Sequence, residues 1–171
     1  MKPLGPFNGK SFATSISPWV ITPEALEPFA CEPPPKDFEP RPHLRDSKAK
    51  SAYDVKLGAS FIVSGIETKV CSSELKSMYW TFRDAIVQQT VNGCSINTGD
   101  LLATGTVSGF GELEKGCLLE ATHGGKKRLL LDRGQERVWL QDGDEVMLTG
   151  YAGPGVGFGE CSGILLPART V

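Results

Sequence analysis

The residues best suited to chemistry lie near the start of the sequence, around Lys10. Two turn signals, Gly5-Pro6 and Asn8-Gly9, precede this lysine, so we expect it to follow a tight bend. The segment after it, 12–20, is rich in hydroxyl groups, extended in character, and includes Thr14. A lysine beside hydroxyls on such a loop can present a fixed positive charge to an oxyanion or a phosphate.

The same segment is close to the phosphate-binding loop of nucleotide-binding proteins, but its spacing decides against that site. The loop has four residues between its glycines, whereas only three separate Gly5 from Gly9. No helix-forming run follows Ser11, and the loop needs a helix N-terminus to bind phosphate. The sequence therefore does not predict a nucleotide site.

Two further positions, Thr106 and Glu120, could line a ligand site. Thr106 lies in the run 105–109, where small hydroxyl residues between glycines form either a strand end with a turn or a wall that a ligand approaches closely. Glu120 ends an apolar run in an expected strand. Pointing inward, its carboxylate would need a cation, a histidine or hydrogen-bond donors; pointing outward, it would be a solvated surface acid. The spacing leaves both alternatives open.

Short apolar runs broken by glycine turns predict a mainly β fold, an antiparallel sandwich or roll, rather than a parallel α/β sheet. The expected strands are 53–57, 60–63, 101–106, 117–121, 128–131, 138–140, 145–150 and 163–166, with a bulge or kink at Gly58 and a bent connection over 153–159. A helical turn is expected over 23–27. The proline-rich zone 33–46 is expected to be an ordered surface excursion or a loose loop.

One clear α-helix is predicted between these strands. Ser72 or Ser73 is its expected N-cap, with Glu74 in the first turn and Asn92-Gly93 as the stop. Five apolar residues at helical spacing define one face, which we expect to pack in the core and not to bind a cofactor. They are Leu75, Met78, Tyr79, Phe82 and Ile86.

Composition narrows the class of protein. The 171 residues suit one domain, and a net charge of -2 without a basic stripe argues against a nucleic-acid partner. Five widely spaced cysteines with no C-x-x-C pair indicate a reduced, cytoplasmic setting, and two isolated histidines, His43 and His123, argue against a histidine zinc site. No apolar run is long enough to span a membrane, and no apolar leader is present, so we expect neither membrane insertion nor secretion.

Blocks along nearly the whole sequence resemble, in order, the C-terminal part of the fumarylacetoacetate hydrolase family. The blocks are 3–20, 77–81, 91–94, 99–109, 119–120, 140–146, 149–151 and 157–161, and the resemblance is weakest over 33–46. It implies that 1–171 form part of one catalytic domain, a β-roll of the family's C-terminal type. The implied activity is hydrolysis of a carbon–carbon bond in 4-fumarylacetoacetate, a β-diketone, to fumarate and acetoacetate, the last step of tyrosine and phenylalanine catabolism.

The resemblance also implies roles for four residues. The family uses a divalent metal, Mg²⁺ or Ca²⁺, held by carboxylates, and a histidine base that activates water. Lys10 resembles the lysine near the metal and the carbonyl oxygen, where it stabilises oxyanion charge, and Thr14 resembles a threonine of the metal site. Thr106 resembles a substrate-contacting residue. Glu120 resembles the glutamate that orients the histidine, as in a catalytic triad.

The sequence departs from the family at its beginning. The family's metal carboxylates and catalytic histidine lie upstream of the block 3–7, where this chain has only Met1 and Lys2, and neither of its histidines matches that position. Lys10 and Thr14 alone do not make a site for a hard divalent cation, which takes several oxygen ligands. We therefore expect the chain alone to be inactive.

Three interpretations of function remain. The chain is part of a fumarylacetoacetate hydrolase whose N-terminal half is missing or comes from another chain. Alternatively, it is an inactive truncated product that binds intact subunits through the family's dimer surface, or a binding domain of this fold for another acylpyruvate or β-diketone. The presence of the four site-like residues favours the first. The expected partners are a small-molecule diketone and either a second copy or the missing half.

Overall fold

The computed structural model describes residues 7–11 and 13–169, with Phe7 and Lys10 described by their backbone alone. The architecture is mainly antiparallel β, as predicted. The strands are β1 Ala30–Cys31, β2 Ala52–Tyr53, β3 Lys56–Val63, β4 Ile66–Glu74, β5 Leu129–Leu130, β6 Glu136–Arg137, β7 Glu145–Tyr151 and β8 Gly157–Ile164. The helices are α1 Pro23–Leu26, α2 Phe82–Thr90 and α3 Leu118–Ala121.

The central element is a four-stranded sheet of order β4-β3-β7-β8. β1 pairs with β2, and β5 with β6, as separate two-stranded ribbons. Ser64 and Gly65 close the β3–β4 hairpin with φ of 53° and 76°. A two-residue turn with positive φ at both positions matches the right-handed twist of its strands, so this turn sets the register of the hairpin.

The buried core is small and lies on one face of this sheet. Phe61, Val63, Val70 and Leu131 form its buried cluster, and half-buried side chains from α3, β5 and β7 pack against it. Burying an aliphatic or aromatic side chain contributes about 1.5–3 kcal/mol, so this cluster holds α3 and the β5 ribbon against β3 and β4. Within the described residues, no helix is both long enough and apolar enough to span a membrane.

The proline-rich zone 33–46 packs against the start of α2 through Lys36. The Lys36 Nζ lies 3.3 Å from Asp84 Oδ2 and 4.1 Å from the centroid of the Trp80 ring, and it donates to the carbonyl oxygen of Tyr79. Because ammonium–carboxylate and ammonium–ring attractions both favour this geometry, they hold the zone against the helix.

The predicted helix begins later than its apolar pattern indicated. Ser72 and Ser73 lie in β4, paired with β3, so they do not cap a helix. The N-cap is Thr81: its Oγ1 accepts from the Asp84 backbone N at 3.1 Å, and Asp84 Oδ2 accepts from the Thr81 backbone N at 2.9 Å. This capping box satisfies backbone N–H groups in the first turn of α2, so the helix begins at Phe82 and takes no cap from Ser72 or Ser73. The stop was predicted correctly, because Gly93 follows the helix with φ of 88°.

The expected apolar core face of that helix is therefore also wrong. Leu75 lies in a 3₁₀ turn, and Met78 and Tyr79 precede the helix. Phe82 and Ile86 are in the helix but are 40% and 44% exposed. The buried residue of α2 is Asp84, held by its cap and by Lys36, so the side chains at helical spacing do not share one buried face.

Three predicted strands are replaced by other structure. Residues 101–106 have irregular backbone, 117–121 contain α3, and 138–140 follow β6 instead of forming a strand. Short apolar runs fit a buried helical turn as well as a strand, and periodicity cannot separate the two over four residues. The turn expected over 23–27 is present as α1, with Pro23 at its first position.

Two glycine-containing segments differ from the prediction, the expected bulge at Gly58 and the expected connection over 153–159. The register shift in β3 falls between Ala59 and Ser60, one residue after Gly58. Gly58 is instead closely packed, because a Cβ there would lie 2.7 Å from Thr149 Oγ1 and the threonine side chain would have to move. β8 begins at Gly157, so part of the expected bent connection 153–159 is strand. The same strand ends at Ile164, so the expected strand 163–166 is only its last two residues.

Candidate active site

Glu120 lies on α3, a single helical turn, and not on the expected strand. Its side chain is exposed, which is the outward alternative left open by the sequence. It is nevertheless held, because Ser108 Oγ donates a hydrogen bond to Glu120 Oε2 at 2.5 Å. The carboxylate is therefore accessible to a partner group and fixed at one of its two oxygens.

The fully buried Thr122 fixes the end of α3 beneath Glu120. Thr122 Oγ1 donates to the Leu118 carbonyl at 2.6 Å and accepts from the Gly125 backbone N at 3.1 Å. The Thr122 carbonyl accepts from the backbone N of Lys126 and of Lys127, each at 2.8 Å. These bonds satisfy the last carbonyls of a helix too short to be stable alone, so α3 presents Glu120 in a defined direction.

Gly116 brings the segment that contains Thr106 and Ser108 against the start of α3. The Gly116 backbone N donates to Ser108 Oγ at 3.1 Å. A Cβ at Gly116 would lie 2.4 Å from the Val107 carbonyl oxygen and 2.7 Å from Thr106 Cγ2. Because only glycine allows this approach, Gly116 is the point around which Thr106, Ser108 and, through Ser108, Glu120 converge.

The loop between these residues is closed by its own hydrogen bonds. The Gly109 backbone N donates to the Glu114 carbonyl at 2.8 Å, and Glu114 Oε2 accepts from the Gly111 backbone N at 2.8 Å. Lys115 Nζ donates to the Gly109 carbonyl at 3.2 Å. The loop therefore has a defined shape that does not depend on a regular strand.

Thr14 lies in a different contact group. It is exposed, in an irregular segment that runs along β8. Ser17 Oγ donates to the Phe158 carbonyl oxygen, and a Cβ at Gly159 would lie 2.4 Å from Trp19 Cδ1. In the described part of the chain, no hydrogen bond joins Thr14 to Thr106 or Glu120.

Lys10 can be followed only along its backbone. It ends a 3₁₀ turn, Phe7–Lys10, in agreement with the tight bend predicted from Asn8-Gly9. The Lys10 side chain and the other turn signal, Gly5-Pro6, lie outside the described residues. The expected role of its amine therefore stays a prediction.

The described side chains do not form a divalent-metal site by themselves. Among residues 7–11 and 13–169, no three His, Cys, Asp or Glu side chains cluster closely enough to hold a metal ion. His43 and His123 are both exposed, and His123 contacts Glu120 through its backbone N–H, which donates to the Glu120 carbonyl at 3.0 Å. One threonine hydroxyl does not satisfy a cation that takes six or more oxygens, so the described residues do not by themselves fit Mg²⁺ or Ca²⁺.

Ser108 is the residue that sequence reasoning missed. It was seen only as one of the small residues between Gly105 and Gly109. The available signal was its position two residues after Thr106 in an extended run, since alternate side chains of such a run point to the same side.

Comparison with known proteins defines the family. A family model described as the fumarylacetoacetate (FAA) hydrolase C-terminal domain matches residues 1–163. The chain belongs to the fumarylacetoacetate hydrolase family. It is 44% identical to the fumarylacetoacetase of Mus musculus over 173 residues, which covers 98% of this chain and 41% of the mouse protein.

Other relatives give the same picture. The fumarylacetoacetase of Arabidopsis thaliana is 43% identical over 171 residues, covering 97% of this chain and 40% of the plant protein. That of Homo sapiens is 43% identical over 171 residues, covering 97% and 41% respectively. The chain thus spans about two fifths of the length of these relatives, in the C-terminal portion of the family.

Proposed function

We propose that this chain supplies the C-terminal part of a fumarylacetoacetase active site, which hydrolyses a carbon–carbon bond of 4-fumarylacetoacetate to fumarate and acetoacetate. The observation that carries the proposal is the convergence of Thr106, Ser108 and Glu120 around Gly116, in a chain of this family. An accessible carboxylate on a fixed turn is suited to orient an imidazole, as the carboxylate of a catalytic triad does.

Glu120, Thr106 and Lys10 each have a distinct role in the proposed hydrolysis. Glu120 accepts a hydrogen bond from a histidine that lies in the remaining part of the protein, and so keeps the other imidazole nitrogen free to take a proton from water. The hydroxide equivalent adds to a carbonyl carbon of the diketone, the carbon–carbon bond breaks, and the leaving carbanion takes up a proton. Thr106 contacts the substrate, and Lys10 stabilises charge on the carbonyl oxygen.

A divalent cation, Mg²⁺ or Ca²⁺, belongs to the proposal only through residues that this chain does not contain. The donors described here are too few, so we infer that carboxylates upstream hold most of the ion, with Lys10 and Thr14 beside it. When bound, such an ion stabilises negative charge on diketone oxygens.

We infer that residues 1–171 form one part of a single catalytic domain, with 33–46 as a surface excursion, and that it works in the cytoplasm as a homodimer. The five cysteines all lie in the described residues as free thiols, which supports a reducing location. Large exposed apolar side chains support a covering partner, either the N-terminal part of the same protein or an intact subunit bound by an inactive product. Trp19, Val20 and Leu166 are among them.

The test is hydrolysis of fumarylacetoacetate with Mg²⁺, followed by loss of diketone absorbance. The chain is assayed alone, co-expressed with an N-terminal half from a family member, and joined to that half as one polypeptide. We expect activity only when the N-terminal half is present. Activity of the chain alone would show that it contains its own base and metal ligands, and no activity in any form would contradict the proposal.

The proposed hydrolysis should depend on the Glu120 carboxylate. Glu120→Ala in the active form should lower kcat about 10³-fold or more, because the histidine loses the group that sets its orientation and tautomer. Glu39→Ala is the matched control, since Glu39 is also an exposed acid, 78% accessible, and forms a surface ion pair with Arg45. A Glu120→Ala variant with the activity of the control would remove Glu120 from the mechanism.

A further inference from the structure

Ser108 connects two elements of the candidate site through one oxygen atom. Its Oγ accepts a hydrogen bond from the Gly116 backbone N at 3.1 Å and donates one to Glu120 Oε2 at 2.5 Å. A serine hydroxyl has a single proton. Because the Gly116 N–H occupies the acceptor side of the oxygen, that proton is directed to the carboxylate.

The bond to Glu120 joins a hydroxyl donor to a carboxylate acceptor. Hydrogen bonds to an ionised acceptor are about twice as strong as bonds between neutral groups. Among the described side chains, that of Ser108 is the one that bonds the Glu120 carboxylate. Without it, an exposed glutamate on a one-turn helix would rotate among several side-chain conformations.

We propose that Ser108 is a positioning residue for Glu120 in the hydrolysis proposed above, on which this inference rests. The Ser108 hydroxyl bonds Oε2 and fixes the plane of the carboxylate, with Oε1 free to receive the histidine N–H. It touches neither the substrate nor the histidine, and it acts through the orientation of the carboxylate. The Gly116 N–H fixes the hydroxyl itself, so the positioning extends from the backbone at the start of α3 to the tip of Glu120.

The experiment uses the active form of the protein, with the N-terminal half present. Ser108→Ala should lower kcat about tenfold or more and leave KM nearly unchanged, since the bond orients the base and does not hold the substrate. Ser108→Thr keeps the hydroxyl and should recover most of the lost activity. Ser47→Ala, an exposed serine between the proline-rich zone and β2, is the matched control and should retain wild-type kinetics.

A double-mutant cycle separates positioning from a general structural effect. In the Glu120→Ala background, Ser108→Ala should cause no further loss, because it has no carboxylate left to orient. An equal loss in both backgrounds, a failure of Ser108→Thr to rescue, or wild-type kinetics for Ser108→Ala would each overturn this inference while leaving the proposed hydrolysis in place. An inactive wild-type protein would instead overturn the proposed hydrolysis, and this role with it.

Discussion

At the scale of single residues, Arg137 and Asp144 form a buried ion pair near the end of the sheet. Their side chains are 13% and 3% exposed. Arg137 Nε and Nη2 donate to the two Asp144 carboxylate oxygens, each at 2.8 Å, and the Gln141 backbone N donates to Asp144 Oδ2 at 2.9 Å. These three hydrogen bonds connect β6 to the turn before β7, and each of them ends on a carboxylate oxygen of Asp144.

Removing this carboxylate should destabilise the fold. Asp144→Asn leaves the Arg137 guanidinium buried without a counter-charge, and we expect a loss of about 3 kcal/mol in the free energy of unfolding. Asp142→Asn, two residues away and exposed, is the matched control and should change stability by less than about 0.5 kcal/mol. Urea denaturation followed by tryptophan fluorescence measures both, and equal midpoints for the two variants would contradict the role of the pair.

The same pair should give the fold an acid-sensitive component. The Arg137 hydrogen bonds lower the pKa of Asp144 below its ordinary value of 3.8. A carboxyl with a lower pKa in the folded than in the unfolded state stabilises the fold above the unfolded pKa. That stabilisation should be complete above about pH 5 and lost as the pH falls below 3.8 through the lowered folded value. The midpoint of Asp144→Asn should fall less steeply with acid than that of the wild-type chain, and parallel profiles would exclude this linkage.

The contacts of the candidate site residues were not predictable from the local sequence. The exposed position of Glu120 was one of two alternatives that the sequence left open, since an acid at the end of an apolar run can face either way. Its bond to Ser108 spans twelve residues and depends on the close approach at Gly116, which no local pattern encodes. Lys36 was missed for the same reason, because its partners Trp80 and Asp84 are distant in sequence.

At the scale of elements, the loop 105–116 depends on the absence of a side chain at Gly116. A Cβ there would meet the Val107 carbonyl oxygen at 2.4 Å, and a backbone atom cannot move aside as a flexible side chain can. Gly116→Ala should therefore separate the Thr106–Ser108 segment from α3 and break the bond from the Gly116 N to Ser108.

The expected result of Gly116→Ala is a stability loss of about 1–3 kcal/mol together with at least a tenfold loss of hydrolysis in the active form. Gly163→Ala in β8 is the matched control, because no atom lies within 4 Å of its added Cβ and its φ is not in the left-handed region. Denaturation midpoints and steady-state rates test both variants. Tolerance of alanine at Gly116 would show that the close approach is not required.

Elements were predictable from the sequence where a local signal was strong. Strand β7 follows from a short apolar run that begins after the turn residues Asp142-Gly143, and the helix stop follows from a left-handed glycine at Gly93. The helix start was not predictable from apolar spacing, because β4 continues through Ser72 and Ser73 and removes them as caps. The hairpin turn at Ser64-Gly65 has a local signal, because a serine and a glycine lie between two apolar runs. The prediction of strands from apolar runs alone did not use it.

At the scale of the whole molecule, the described residues leave much apolar surface uncovered. β4 and β8 are the two edges of the four-stranded sheet, and edge strands pair readily with other chains where nothing covers them, whereas part of β8 is covered by residues 17–19. Val20 is 90% exposed and Leu166 is 73% exposed, at positions outside regular strands. Apolar surface of this kind is normally covered in a soluble assembly, so we expect it to contact a partner.

We therefore expect the chain alone to self-associate and to become a species of defined mass when co-expressed with an N-terminal half of the family. Sedimentation velocity over a concentration series should show weight-average mass rising with concentration for the chain alone and a constant mass for the assembly. Val20→Lys with Leu166→Lys should reduce the self-association, since charges replace apolar contact without disturbing a strand, whereas Glu39→Ala should not. A chain that stays monomeric and unfolds cooperatively at all concentrations would show that its apolar surface needs no partner, and would favour an independent binding domain over one part of a larger hydrolase.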